Sequence, residues 1–169
     1  HSIGVLYMAL SLPDICDEFD EEVRVFDPLF QDFGARRRFC GEIVTVKCYE
    51  DNSLVRDLVQ TEGHGKVILV DGGGSLRRAL LGDLLAAKAA ANGWQGLVIN
   101  GAVRDVEILE TIDLGVKALS ATPKKTEKLG AGQLNIPVKV AGVRVVPGRF
   151  LYADANGIIV AYRDLGVDF

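Results

Sequence analysis

Hydrophobic and polar positions along the chain follow patterns that predict alternating strands and helices. Residues 66–70 and 96–99 are mainly apolar runs, as expected for strands covered on both faces. Between them, residues 84–92 favour a helix that would end at Gly93, since glycine is common just after a helix. A strand, a helix and a second strand in this order predict a right-handed crossover between parallel neighbours.

The N-terminal third of the chain predicts elements of the same kinds. Residues 12–22 favour a short amphipathic helix, because Pro13 suits the first turn of a helix. Residues 42–49 are rich in β-branched residues and alternate partly, which predicts a strand. Residues 53–61 carry a helical stripe of apolar side chains, and Asn52 is the expected N-cap of that helix.

The C-terminal part of the chain predicts mainly strands and turns. Residues 114–120 favour another strand, and the polar residues 122–133 favour a loop whose lysines face solvent. Two β-hairpins are predicted after it, from residues 138–140 with 143–146 and residues 150–153 with 157–162. The whole pattern predicts an α/β fold in a single domain over residues 9–169, and residues 1–8 are interpreted as a tag remnant and leader.

Composition and charge exclude several classes of protein. Of 169 residues, 49% are hydrophobic and 25% are charged, which is ordinary for a soluble globular domain. No apolar run approaches the roughly 20 residues of a membrane span, so we expect no membrane partner. A net charge of −4 gives no general attraction to nucleic acid, so direct nucleic-acid binding is not expected. Three cysteines without a paired motif favour buried free thiols and a cytoplasmic location.

Asp83 stands at the head of the helix predicted over residues 84–92, and two interpretations of it remain open. The first is a simple N-cap. The second is an anion site, because a helix start presents free backbone N–H groups and the positive end of the helix dipole. Gly82 would let a small carboxylate or phosphate approach that backbone closely.

Arg104 and Asp105 follow the second buried strand, so they emerge at its carboxyl end, where ligands of open α/β sheets bind. Twenty residues separate Asp83 from Arg104, enough for one helix and one strand to return the chain beside its start. A surface ion pair or a helix cap is the alternative interpretation of the two residues. The spacing predicts instead that one cation and two carboxylates meet near one helix N-terminus.

The central segment VDGGGSLRRALLGDLLAAKAAANGWQGLVINGAVRD, residues 70–105, resembles the signature of the RraA-like family. That family includes class II 4-hydroxy-4-methyl-2-oxoglutarate aldolases and the regulator of ribonuclease E activity A. The aldolases' pattern of an aspartate, twenty residues and an Arg-Asp pair is met by Asp83, Arg104 and Asp105. The likeness runs from about residue 13 to residue 162. It implies a swivelling β/β/α domain assembled as a homotrimer, with the site between subunits.

The resemblance also implies a role for each matching residue. Asp105 would ligate a divalent Mg²⁺ or Mn²⁺, and Asp83 would hold a metal-bound water. Arg104 would contact the keto oxygen of a small 2-oxo acid substrate and the developing enolate. The backbone N–H groups that would receive the substrate carboxylate are those of Gly82, Asp83, Leu84 and Leu85.

These groups predict a metal-dependent lyase. Cleavage of 4-hydroxy-4-methyl-2-oxoglutarate into two pyruvates and loss of CO₂ from oxaloacetate leave the same pyruvate enolate, so one site would serve both reactions. The larger aldolases add an acidic group from a neighbouring subunit. No residue of this chain matches it clearly, and Asp164 and Asp168 are candidates by position only.

Two other functions are alternatives to the lyase. The first is a protein inhibitor that binds ribonuclease E, since the acidic balance of the chain suits a basic partner segment. A pure inhibitor, however, has no need of two carboxylates beside Arg104. The second is a methyltransferase, suggested by the glycine turn at residues 72–74, but that turn lies mid-chain without the early α/β repeats a nucleotide site requires.

Overall fold

Four α-helices and twelve strands follow one another along residues 9–169, the part of the chain that the computed structural model describes. The tag remnant and leader predicted for residues 1–8 lie outside the described residues. The helices are α1 (Leu12–Glu18), α2 (Ser53–Val59), α3 (Asp83–Ala91) and α4 (Val106–Leu109), with a 3₁₀ turn at Asp20–Glu22. The strands are β1 (Val23–Val25), β2 (Gln31–Asp32), β3 (Phe39–Lys47), β4 (Lys66–Asp71), β5 (Ala79–Leu81), β6 (Gly96–Val103), β7 (Gly115–Ala121), β8 (Gln133–Leu134), β9 (Val138–Val140), β10 (Val143–Val145), β11 (Phe150–Asp154) and β12 (Gly157–Ala161).

One large sheet carries the fold, with strand order β1-β12-β11-β3-β4-β6-β7-β2. Its centre, from β3 through β4 and β6 to β7, is parallel, whereas β1, β2, β11 and β12 pair antiparallel. β5 joins β6, and β8 joins β3. The predicted strands over residues 66–70 and 96–99 are therefore parallel neighbours joined through a helix, as expected from their apolar composition.

Two layers cover the central strands. On one face, apolar side chains of α2 and α3, including Val55 and Ala86, pack on inward-facing residues of β4 and β6 such as Ile68 and Leu97. On the other face, the hairpin β9–β10 packs its valines on Val67 and the rest of a second cluster. The arrangement is an α/β fold with a helical layer, a sheet and a β-hairpin layer, which confirms the predicted class.

Several predicted boundaries needed correction. The helix expected over residues 12–22 ends at Glu18 and continues as the 3₁₀ turn. The strand expected over residues 96–99 extends to Val103, because β5 and β7 supply partners for its second half across a bulge. Both predicted hairpins are present and antiparallel. Within the described residues, no helix is long and apolar enough to cross a membrane.

Candidate functional site

The start of α3 is built differently from the sequence prediction. Asp83 is the first helical residue and not the N-cap, which is the extended Gly82 with φ −128° and ψ −168°. The carboxylate of Asp83 accepts the adjacent amide N–H of Leu84 at 2.9 Å. The amide of Asp83 itself donates to Oδ2 of Asp105 at 3.1 Å. The carboxylate of Asp105, at the corner between β6 and α4, thus does the work of a cap side chain. It accepts a backbone N–H that would otherwise be free at the positive end of the helix.

Gly82 is closely approached by the side chains of Asp105 and Arg104. A Cβ atom at this position would lie 2.7 Å from Oδ2 of Asp105 and 3.4 Å from Nε of Arg104. The sequence predicted that the glycine would allow close approach of a ligand. In the folded chain, the groups that approach it most closely are the protein's own Asp105 and Arg104.

Asp105 adopts a strained backbone conformation. Its φ of 57° and ψ of 40° lie in the left-handed region, which aspartate tolerates better than most non-glycine residues. The turn points its carboxylate back toward α3, with Oδ2 3.9 Å from Nε of Arg104. Both side chains remain about one-third exposed, at 34% for Asp105 and 38% for Arg104. The pair is therefore held in place and still open to a ligand.

The predicted site residues line one cavity of about 200 Å³. Within residues 9–169, the amides of Gly82 and Leu85, at the start of α3, donate no hydrogen bond to the protein. Leu84 is 79% exposed beside them. The residues that line the cavity are Asn52, Ala79, Gly82, Asp83, Leu84, Leu85, Arg104, Asp105, Lys125, Thr126 and Lys128. The structure thus brings together the two carboxylates, the arginine and the helix start that the sequence pointed to.

The opposite wall of the cavity is the loop containing Lys125, Thr126 and Lys128, which the sequence analysis treated only as solvent-facing. The two lysines are indeed exposed, but their side chains also line the cavity. Asn52 ties this wall to the sheet, since its Nδ2 donates to the Leu80 carbonyl at 3.1 Å and its Oδ1 accepts the Thr126 hydroxyl at 2.7 Å. Asn52 is the N-cap residue of α2, as predicted, although its side chain makes no cap hydrogen bond.

Asp51 fixes the next part of the same loop. Its Oδ1 accepts the amide and the hydroxyl of Ser53 at 2.9 and 2.6 Å, and its Oδ2 accepts the amides of Leu129 and Ala131 at 2.9 and 3.1 Å. Burial alone would raise the pKa of this carboxyl, but the hydrogen bonds from Ser53, Ala131 and Leu129 outweigh it and lower the pKa to about 2. Asp51 therefore stays ionised and anchors the loop that closes the cavity.

A second cavity of about 420 Å³ lies on the other side of Arg104 and Asp105. Besides these two residues it is lined by Val106, Glu107, Ile108, Ala121, Thr122 and Pro123. Its walls are more apolar than those of the first cavity, and Ile108 is 47% exposed. The Arg-Asp pair consequently forms a partition that can contact a ligand from either side.

The oxygen donors around the first cavity suit a magnesium-type ion better than a zinc-type ion. Asp83 and Asp105 supply carboxylates, and the described residues contain no group of three or more His, Cys, Asp or Glu side chains arranged to hold a metal. Mg²⁺ is commonly bound by one or two carboxylates together with waters and substrate oxygens, whereas zinc takes nitrogen and sulfur ligands. The donor set thus fits a hard divalent cation whose coordination is completed by other molecules.

Asp164 and Asp168 do not line either cavity of their own chain. The carboxylate of Asp164 accepts the Gly166 amide at 2.9 Å, and the carbonyl of Asp168 accepts the Leu10 amide at 3.1 Å. Their suggested contribution to a neighbouring subunit stays a prediction.

The RraA-like profile, described as Aldolase/RraA, matches residues 12–160. The chain belongs to the RraA-like family. A relative from Azotobacter vinelandii, named "Putative 4-hydroxy-4-methyl-2-oxoglutarate aldolase", is 60% identical over 153 residues, covering 90% of this chain and 94% of the relative. The expected family resemblance is confirmed.

Solved structures show the same RraA-like fold. The RNA-processing inhibitor RraA from Thermus thermophilis superposes with a TM-score of 0.89 at 46% identity, covering 92% of this chain and 94% of that protein. A Geobacillus kaustophilus structure described as S-adenosylmethionine:2-dimethylmenaquinone methyltransferase has a TM-score of 0.90 at 42% identity, covering 92% and 97%. These matches confirm the fold, and the three descriptions name three different activities for closely similar chains.

Proposed function

We propose that this protein is a metal-dependent class II aldolase that cleaves 4-hydroxy-4-methyl-2-oxoglutarate to two pyruvates and also decarboxylates oxaloacetate. The observation that carries the proposal is the convergence of Asp83, Arg104 and Asp105 on one cavity at a helix N-terminus. The name of the Azotobacter vinelandii relative supports the substrate class.

The chain supplies a binding place for each part of a 2-oxo acid. The free amides of Gly82 and Leu85 at the positive end of α3 bind the substrate carboxylate. The guanidinium of Arg104 hydrogen-bonds the keto oxygen at C2 and stabilises the negative charge that develops on it. The exposed lysines of the opposite wall, Lys125 and Lys128, raise the local positive charge and attract a dicarboxylate.

Bond changes in the two reactions then follow one scheme. In the aldol cleavage, the C4 hydroxyl passes its proton to the water held by Asp83, the C3–C4 bond breaks, and C4 becomes the keto carbon of one pyruvate. In the decarboxylation, the C3–C4 bond of oxaloacetate breaks and CO₂ leaves. Either way the electron pair passes to the C2 oxygen beside Arg104, and protonation at C3 gives pyruvate. Asp83 holds the water that delivers this proton.

Asp105, with Asp83 nearby, would hold a divalent Mg²⁺ or Mn²⁺. Bound there, the ion would supply Lewis acidity toward the carboxylate and keto oxygens of the substrate. Both aspartates face the cavity, and the fixed position of Asp105 against α3 keeps one ligand oriented.

The test is release of pyruvate from each substrate by the purified protein, with Mg²⁺ or with EDTA. Arg104→Ala and Asp105→Ala should each lower turnover at least about a hundredfold, since each removes charge stabilisation at the reacting atoms. Arg56→Ala and Asp57→Ala, which alter an exposed ion pair on α2, serve as matched controls and should stay near wild type. Full wild-type turnover in EDTA would refute metal dependence.

A homotrimer is part of the proposal. The strongly exposed apolar side chains of Leu84 and Ile108 stand beside the two cavities and suit coverage by a neighbouring subunit. Sedimentation analysis of the purified protein should give three times the mass of one chain. The free thiols of Cys16, Cys40 and Cys48 agree with a reducing, cytoplasmic location.

An inhibitor of ribonuclease E is the second candidate, favoured by the 46% identity to the RNA-processing inhibitor RraA. Such an activity would depend on protein–protein binding and not on the cavity chemistry. A pull-down with ribonuclease E, repeated with Arg104→Ala, distinguishes the two functions. Retained binding with lost pyruvate release would mean that both functions exist and use different residues.

The glycine turn gives no support to a methyltransferase. The amides of Gly72 and Gly74 donate to the Asn100 carbonyl, both at 3.1 Å, so they are used within the sheet. A Cβ atom on Gly72 would lie 2.6 Å from Cδ1 of Leu80. Gly72 thus serves close packing, and Gly73 and Gly74 adopt the positive φ values of 67° and 76° that a tight turn requires.

A further inference from the structure

Four cationic side chains gather where β1, β12 and the hairpin β9–β10 meet. Arg24 on β1, Arg144 on β10 and Arg149 just before β11 line a cavity of about 320 Å³ together with Tyr162, which follows β12. Lys139 stands directly opposite Arg144 on the hairpin. We call the cavity the arginine pocket. A volume near 300 Å³ is at the small end of the range for small-molecule sites.

The charge of the arginine pocket is not neutralised by the protein. Among residues 9–169, none of the ion pairs involves its three arginines, and no carboxylate lines it. The carboxylate of Asp27 lies behind Gly142 at the rim, where its Oδ2 is 2.9 Å from the position of an added Cβ. Like charges directly opposite on a hairpin, as in the pair Lys139 and Arg144, destabilise it. A bound anion would relieve that repulsion.

Two of the arginines are ordered by an aromatic ring. The guanidinium carbon of Arg149 lies 4.3 Å from the centroid of the Tyr162 ring, and that of Arg24 lies 5.6 Å from it. Stacking on an aromatic face fixes the guanidinium plane and leaves its N–H edges free to donate. Since these side chains are already held, less conformational entropy is lost when a ligand binds.

The arginine pocket is separate from the candidate active site. Arg104 follows β6, and four strands lie between β1 and β6 in the sheet. At the usual spacing of strands, the two strands are roughly 24 Å apart. A ligand in the arginine pocket therefore touches none of the residues assigned to the lyase reaction.

We propose that the arginine pocket binds a compact, multiply charged oxyanion of the phosphate class. Guanidinium groups present planar pairs of N–H donors that match phosphate oxygens, and three of them converge here without a protein counterion. The phosphate group is either free or carried by a small ester.

Isothermal titration of the purified protein with inorganic phosphate, and separately with glycerol phosphate, tests the proposal. One saturable site per chain is expected for at least one probe, and tighter binding of the second would identify an ester. Arg144→Gln should weaken binding about tenfold to a hundredfold, the effect of losing one hydrogen bond between charged groups. Arg149→Lys keeps the charge but loses the planar donor pair, and it should weaken binding severalfold.

Arg56→Gln is the matched control, since it removes the same charge from the exposed face of α2. It should leave the affinity for phosphate within about twofold of wild type. Thermal melting shows that each variant is folded. Absence of a saturable site for both probes overturns the proposal, as does equal weakening by the control. If Arg144→Gln instead changes the sedimentation mass, the arginines hold a second copy of the chain and the proposal is wrong. Binding of a short RNA without binding of either small probe is equally contrary to it.

Discussion

Replacing Asp51 with asparagine should destabilise the protein while keeping the size of the side chain. One carboxylate oxygen becomes an NH₂ group, which cannot accept a hydrogen bond. If Oδ1 keeps its bonds from Ser53, the amides of Leu129 and Ala131 lose their acceptor at Oδ2. The loop that walls the candidate active site is then released from its anchor.

The expected cost is about the same whether it is taken from the pKa shift or from the hydrogen bonds that cause that shift. The pKa of Asp51 falls from its ordinary 3.8 to about 2 in the folded protein, and this difference corresponds to about 2 kcal/mol of folding free energy at neutral pH. Two lost backbone hydrogen bonds at about 1 kcal/mol each give a similar loss. For a chain of this length, the midpoint of thermal unfolding should fall by roughly 4–8 °C.

The effect should also depend on pH in a defined direction. Because the folded pKa of Asp51 is lowered, its contribution to stability is fully present above the unfolded pKa and is lost as pH falls through the folded pKa. The difference in unfolding free energy between wild type and Asp51→Asn should be constant above about pH 5. It should shrink steadily between about pH 5 and pH 2.

Urea unfolding at fixed protein concentration, repeated from pH 7 to pH 3, measures the difference. Asp57→Asn is the control, because Asp57 is exposed on α2 and, among residues 9–169, its carboxylate forms an ion pair with Arg56 alone, at 3.4 Å. That variant should differ from wild type by less than about 0.5 kcal/mol. A pH-independent loss in Asp51→Asn would refute the reasoning, because the defect would then come from altered packing and not from the charge.

Further predictions concern the site and a buried thiol. Gly82→Ala places a Cβ atom 2.7 Å from Oδ2 of Asp105, so the carboxylate must move. Pyruvate release should therefore drop about a hundredfold while the protein still folds. Activity within twofold of wild type would contradict this prediction. Burial, reinforced by Asp51 and Asp71, raises the pKa of the Cys48 thiol to about 12. Iodoacetamide at pH 8 should therefore label Cys48 only after denaturation, as measured by mass spectrometry of its peptide. Rapid labelling of the native protein would instead show that the thiol is accessible and ionised.

The sequence predicted the strands of the core because their signal is local. Residues 67–70 and 97–99 are continuous short apolar runs, the pattern typical of a strand buried on both faces. Strands β5 and β8 escaped prediction because they have three and two residues, too few to show a period. Their existence depends on neighbours distant in the chain.

The helix caps show what local sequence misses. Asp83 and Asn52 each have a residue type and position suited to an N-cap, yet neither side chain caps its helix. At α3 the carboxylate comes from Asp105, twenty-two positions later, and at α2 it comes from Asp51, next to the expected cap. At α3 the capping group is supplied by a tertiary contact, and at α2 tertiary contacts to Leu80 and Thr126 occupy the side chain of Asn52. Asp83 and Asn52 both line the candidate site.

Asp105 is a proposed metal ligand and also a structural group, because its carboxylate accepts the first amide of α3. Selection for a stable fold alone would favour an acid at this position, whether or not the protein turns over a substrate. Related chains that act only by binding other proteins would therefore be expected to keep Asp105. Loss of Arg104, whose contact with Asp105 is 3.9 Å long and about one-third exposed, would be the earlier sign that catalysis has been abandoned.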